Sequence, residues 1–297
     1  MTREWGLLIV LYLFFGGLSA GLLALSASVT LLRAQGLERV ARTAAWIAPW
    51  PVLAGTALLV LDLGQPFYFW KLLVAFEPRS PMWLGTWLLT LFSIVSLAYA
   101  CLLAPPMLQV FSPDDVARWR RRLALAGLPL AVGVGIYTGV LLGVLVSRPL
   151  WNTPLLAQLF LISALSSAAA LLLALFGRRA TDEERRVLFV SDVALILLEI
   201  AAIGWMLVAA GTSTASAGAA VALLTRGFYG WVFWIGVVGI GLVLPLAFEV
   251  AELLASDQLS RRPWLSRTAA ITPLLVLTGG FTLRWVIVFA GQASHLL

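Results

Sequence analysis

The chain has 297 residues, 61% of them hydrophobic and 11% charged, with a mean hydropathy of +0.98. A soluble domain of this length could not hide so much apolar surface, so lipid is the solvent for most of it. The formal net charge of +6 does not point to nucleic acid, because the basic residues fall in short clusters between apolar runs, and the single cysteine, Cys101, excludes disulfides, thiolate metal sites and iron–sulfur ligation.

Crossing roughly 30 Å of hydrocarbon as a helix takes about 20 apolar residues, and runs of that kind occur eight times. Span 1 (5–32) contains Tyr12. It is too long for the core of a signal peptide and no cleavage signature follows, so it is read as retained. Span 2 (45–63) carries Asp62 at its end. The connection that follows, DLGQPFYFWKLLVAFEPRSPMWLGTW (Asp62–Trp87), holds Lys71, Arg79 and Trp83 and includes a short amphipathic segment suited to the interface. Span 3 (82–104) leads into the charged stretch PDDVARWRRR, read as a solvated connection. Span 4 (123–147) carries Tyr137 and closes on SRPLWNTP, a tight turn stiffened by two prolines that presents Arg148, Trp151 and Asn152.

Span 5 (154–176) leads into GRRATDEERR, a second solvated connection. Span 6 (187–210) contains Asp192 and Glu199. The aromatic stretch TRGFYGWVFW, with Arg226, opens span 7 (229–254), which carries Pro245, Glu249 and Glu252. Span 8 (268–292) places Arg284 in LTGGFTLRWVIVFAGQ, a stretch without an acid.

Basic residues give the direction of these spans. The odd connections hold 14 arginines, whereas the opposite side holds Arg3, Lys71, Arg79, Arg148 and Arg226. Positive charge stays cytoplasmic, so both termini and the even connections face the outer (periplasmic) side. Eight of the 13 tryptophans fall near that outer face. An aromatic belt explains some of them, and the excess favours a surface that docks a partner. FFGGLSAGLLAL in span 1 resembles LISALSSAAALLLAL in span 5. The echo predicts an all-α, polytopic single membrane domain built as two four-helix bundles, 1–150 and 151–297, related about the membrane normal. The small residues in both segments allow close helix contact.

His295, close to the C-terminus, is the only histidine. A b-type haem needs axial ligands from the helices, so none is expected, and zinc and non-haem iron fail for the same reason. GVGIYTG and GVVGIG lie within spans, where glycines serve packing rather than phosphate binding.

Ionisable groups in lipid are costly and mark functional sites. By depth along their helices, Arg284 lies about 12 Å and Tyr137 about 16 Å below the outer boundary. Tyr12 and Asp62 approach that level from spans 1 and 2. An outer-half pocket of this composition suits a quinone, with an oxygenated head among polar groups and a tail in lipid. Tyrosine donates to a ring oxygen and arginine stabilises charge on the reduced ring. The plainer reading has Arg284 snorkelling outward and the tyrosines serving as belt residues. Asp192, Glu199, Glu249 and Glu252 form an inner set. The first two share a face, seven residues and roughly 10 Å apart along the helix axis. They fit a proton path toward the pocket, or polar contacts between helices.

The stretches WGLLIVLYLFFGGLSAG, DLGQPFYFWKLL, RSPMWLGTW, YTGVLLGVLVSRPLWN and GGFTLRWVIVFAGQ together resemble the NrfD/PsrC-like family, the membrane subunits of polysulfide and nitrite reductases. The resemblance covers essentially the whole chain. It implies a haem-free subunit that exchanges electrons between the quinone pool (menaquinone or ubiquinone) and an outer, four-cluster ferredoxin-like iron–sulfur subunit, which serves a molybdopterin or other catalytic subunit. Tyr137 matches a tyrosine of the family's quinone pocket. A pocket histidine of some relatives falls at Tyr12 here, and a phenol with an ordinary pKa of about 10 is a poor base at neutral pH. The expected site is therefore Tyr12, Tyr137, Arg284 and Asp62. The expected docking platform is Lys71, Arg79, Trp83, Arg148, Trp151, Asn152 and Arg226. The competing readings are a proton-coupled secondary transporter using Asp192 and Glu199, and a passive anchor.

Overall fold

A computed structural model describes residues 5–62, 66–68, 70–74, 76–77, 79–104, 112–145, 148–176, 180–254 and 263–294. Arg3, Arg178, Arg179, Arg261, Arg262 and His295, together with the side chains of Glu252 and Arg267, lie outside the described residues. Among the described residues there is no strand. Eight helices among the described residues are long and apolar enough to cross a membrane: Leu7–Leu32, Glu38–Asp62, Pro81–Leu102, Pro113–Gly143, Pro154–Phe176, Glu183–Ser213, Gly227–Ala251 and Ile271–Ala293.

The charged connections turn out to be largely helical. Span 4 begins at Pro113, ten residues before its apolar run. Ser112 caps it by accepting the Asp115 backbone N–H, and Asp114 and Asp115 sit in the first turn, where negative charge meets the helix dipole. Span 6 begins the same way. The Thr181 hydroxyl accepts the Glu184 N–H while the Glu184 carboxylate accepts the Thr181 N–H, a capping box that satisfies two end groups at once. Span 2 starts at Glu38 with a turn that exposes Glu38, Arg39 and Arg42 and buries Val40, Ala41, Ala44 and Ala45, then restarts at Pro49. A further apolar helix, Ala215–Thr225, follows span 6 and lies outside the eight expected spans. Thr214 caps it by accepting the Ala217 N–H. The interfacial segment after span 2 is a single turn at Pro66–Tyr68 and a short helix at Lys71–Val74, with Phe67, Tyr68, Trp70 and Phe76 exposed.

Span 7 is irregular. Val232–Val243 is wound as a π-helix, and α-helical winding resumes at Leu244, immediately before Pro245. A proline ring clashes with the carbonyl four residues earlier in an α-helix, and the wider π winding moves that carbonyl aside.

Span 1 packs against spans 2, 4, 5 and 8, and span 5 against spans 1, 4, 6 and 8. Spans 1, 5 and 8 form the axis of the molecule, with 72%, 61% and 56% of their most apolar windows buried, against 28–39% for the other five. Small residues make these approaches possible. A Cβ at Gly21 would overlap the Ala164 carbonyl, and one at Gly139 would come 2.5 Å from the Ala157 Cα. Between spans 7 and 8, a Cβ at Gly241 would come 2.5 Å from the Gly279 Cα. In lipid, where helices gain little from the hydrophobic effect, such van der Waals contact is a main source of association.

Candidate functional site: a lipid-level pocket and a buried arginine cluster

A cavity of about 320 Å³ opens at one end of the bundle, between spans 1, 2, 3 and 4 and under the short helix at Lys71–Val74. Trp5, Ile9, Leu59, Leu72, Met82, Leu89 and Leu141 form its apolar wall, and Asp62, Thr86 and Tyr137 supply polar groups. Tyr137 reaches the cavity because Gly85 lets it: the phenol lies flat over that glycine, and a Cβ there would overlap the ring. The Tyr137 hydroxyl donates to the Pro81 carbonyl at 3.2 Å, which uses its only proton and leaves its oxygen to accept. Tyr12 is fully buried behind this wall, near enough to Tyr137 to interact electrostatically, and its hydroxyl has no partner among the described residues. The structure therefore brings together Asp62 and Tyr137, with Tyr12 adjacent.

Arg284 is elsewhere. It does not line the cavity, and it does not snorkel. It is fully buried between spans 1, 5 and 8: Nε donates to the Leu13 carbonyl at 3.2 Å, and Nη1 donates to Ser163 Oγ at 3.1 Å and to the Gly280 carbonyl at 2.6 Å. The guanidinium carbon also lies 5.3 Å from the Phe160 ring centre and 5.7 Å from that of Phe14, a cation–π arrangement in a dry setting. Nη2 has no partner among the described residues and points at Gly17, whose Cβ would sit 2.8 Å from it. Tyr12 and Leu13 are neighbours on span 1, so that helix forms the wall between pocket and arginine.

Glu199 of span 6 approaches the arginine from the other side, near the hydroxyls of Ser163 and Ser166 and within electrostatic range of Arg284. Asp192 is buried on the same span, meets Glu249 of span 7 side chain to side chain, and is electrostatically coupled to Glu199. Ser166 and Ser167 are buried beside this group. A polar seam thus runs from Asp192 and Glu249 through Glu199 and Ser163 to Arg284, inside a shell of apolar side chains. The serines do not stand out in the sequence, where SALSS reads as small-residue packing. Only the acid and arginine on neighbouring helices give them a partner.

The expected docking residues divide. Lys71, Arg79, Asn152 and Arg226 are exposed, and Lys71 lies 4.3 Å from the Tyr68 ring centre. Trp83 packs edge-on to Phe76 at 5.3 Å and beside Trp87, in an aromatic patch next to the cavity mouth. Trp151 is not available to a partner: it is 1% exposed and donates Nε1–H to the Ile287 carbonyl at 2.8 Å. Its indole covers Gly291 so closely that a Cβ there would overlap the ring. Arg148 is half-buried, stacks over Trp151 and donates to the carbonyls of Gly291 and Gln292 at the end of span 8. Both residues fasten the turn between spans 4 and 5 to the last helix, because the C-terminal carbonyls of a helix lack internal donors and a cation satisfies them.

The family model described as "Polysulphide reductase, NrfD" matches residues 1–295. A polysulfide reductase polypeptide of Wolinella succinogenes is 35% identical over an alignment covering 98% of this chain and 95% of that protein. Protein NrfD of Escherichia coli is 32% identical with the same two coverages. A selenate reductase subunit of Mesobacillus selenatarsenatis is 27% identical over 98% of this chain and 74% of its own length. With a family model spanning nearly every residue and relatives above 30% identity aligned almost end to end, this multi-span membrane protein belongs to the polysulphide reductase NrfD family.

Proposed function

We propose that the chain is the quinone-reactive membrane subunit of a respiratory reductase complex in the cytoplasmic membrane. In this reading it passes electrons between the quinone pool and an iron–sulfur subunit on the outer face, and through that subunit to a catalytic, molybdopterin-type subunit. The observation that carries the reading is the cavity holding Asp62 and Tyr137 in an otherwise apolar wall at one end of the bundle. Its volume is near the lower end of the range for small-molecule sites, which suits a head group whose tail stays in lipid. The buried Tyr12 hydroxyl, without a partner among the described residues, stands behind that wall. The relatives named as reductase subunits support the assignment to a complex.

A quinol, when bound, supplies two electrons and two protons. The Tyr137 hydroxyl, its own proton given to the Pro81 carbonyl, accepts a hydrogen bond from a quinol hydroxyl. Asp62, half-exposed at the end of span 2, accepts the two protons in turn and passes each to water outside. Ile9, Leu59, Leu89 and Leu141 exclude water from the ring. Arg284 takes no part at the head group. Glu199, Asp192 and Glu249 form a separate proton path through the second half of the molecule, with Arg284 as the fixed positive charge beside it. Lys71, Arg79 and Arg226 give the docking face a positive charge suited to an acidic iron–sulfur subunit.

The test is quinol-dependent reduction of the partner subunits in membranes that contain the whole complex. Tyr137→Phe and Asp62→Asn are each expected to lower kcat/KM at least tenfold, a loss of about 1.4 kcal/mol of transition-state stabilisation, with the complex still assembled. Unchanged quinol oxidation in both variants overturns the reading and leaves a passive anchor or a proton-coupled transporter.

A further inference from the structure

One wall of the pocket is made by a residue that no helix holds. Trp5 lines the cavity but precedes the first turn of span 1, which starts at Leu7. Its place is set from the other end of the chain. The Trp5 backbone N–H donates to Gln292 Oε1 at 2.9 Å, and Gln292 Nε2 donates to the Trp5 carbonyl, also at 2.9 Å. One side-chain amide thus binds both backbone groups of one residue, which fixes its direction as well as its position. The indole then stacks on Trp151, with ring centres 5.3 Å apart and planes tilted by 31°. Trp151 is itself immobilised by its bond to Ile287 and by Arg148 on its ring.

We infer that Trp5 is a positioning residue of the pocket, held as its wall by the Gln292 amide and the Trp151 ring so that a planar, aromatic head group meets a rigid surface. The inference rests on the quinone reading above. A preorganised aromatic wall orders no side chain on binding, so its contact area goes into affinity. An unclamped Trp5 would have to be ordered by the ligand itself. The pair Trp5–Trp151 also joins the pocket to the Arg148–Asn152 turn, next to exposed Asn152 on the proposed docking face.

The experiment is calorimetric titration of a short-tailed naphthoquinone into the full-length chain in nanodiscs, with the thermal midpoint of each variant recorded alongside. Trp5→Ala is expected to weaken binding at least tenfold. Gln292→Leu, which removes the amide and leaves the indole, is expected to weaken it several-fold. Trp5→Phe, which keeps a ring against Trp151, is expected to restore most of the loss. Gln292→Glu keeps the acceptor for the Trp5 N–H and removes the donor to its carbonyl, and should fall between wild type and Gln292→Leu. If Tyr137→Phe weakens binding while Trp5→Ala and Gln292→Leu do not, the clamp inference is overturned and the quinone reading stands. If neither Tyr137→Phe nor Asp62→Asn changes the affinity, the quinone reading itself falls. A Trp5→Ala loss that Trp5→Phe fails to recover, with the thermal midpoint lowered equally in both, assigns Trp5 to stability alone and also overturns the inference.

Discussion

A methyl group added at Gly85 would fall on the ring of Tyr137. The glycine is needed here for close approach and not for its backbone freedom, since it lies within span 3. Gly85→Ala is therefore expected to push the phenol off Pro81 and out of the cavity wall. Quinol-dependent turnover should fall as far as in Tyr137→Phe, and overpacking should cost about 1–3 kcal/mol of stability. Activity close to wild type would mean that the phenol's position does not matter. Of the residues expected at one depth, Asp62 and Tyr137 line one cavity and Arg284 stands apart from them. The arithmetic behind that expectation gives depth along a helix axis and says nothing about which way a side chain faces. Arg284 faces Leu13, Ser163 and Gly280.

Between elements, the glycines of spans 7 and 8 carry a comparable load. Gly279 and Gly241 meet backbone to backbone, so Gly279→Leu should force the helices apart and lower the thermal midpoint of the solubilised chain by roughly 5 °C. Gly204→Leu is the control, because nothing lies within 4 Å of a Cβ there and the midpoint should not move. Equal midpoints for the two variants would show that this crossing contributes nothing. All eight spans were legible as elements, since a run of about 20 apolar residues has few other uses. Their ends were less so: the caps at Ser112 and Thr181 carry helix into stretches whose charge read as connection. The helix at Ala215–Thr225 and the π winding of span 7 left no pattern to read. The first is an alanine-rich stretch with no amphipathic period, and the second is a response to Pro245 and to packing against span 8.

For the whole molecule, the arginine count predicts which end faces the cytoplasm. Arg226→Cys lies on the proposed outer end and Arg118→Cys on the inner end, and both positions are exposed. In a Cys101→Ser background, a membrane-impermeant thiol reagent applied to intact cells with a permeable outer envelope should label the first and spare the second. The opposite pattern would place the pocket and its docking face on the cytoplasmic side. The buried arginine also constrains how this protein is made. A bare guanidinium at mid-bilayer costs about 2.5–3.5 kcal/mol on insertion scales, and Arg284 sits on the final span. Two of its three acceptors, the Leu13 carbonyl and Ser163, belong to spans 1 and 5, which are translated earlier, and the third, the Gly280 carbonyl, is on its own helix. Until the first and fifth helices meet around it, the guanidinium has only the Gly280 carbonyl of its own helix, so docking of that helix and closure of the molecular axis are coupled.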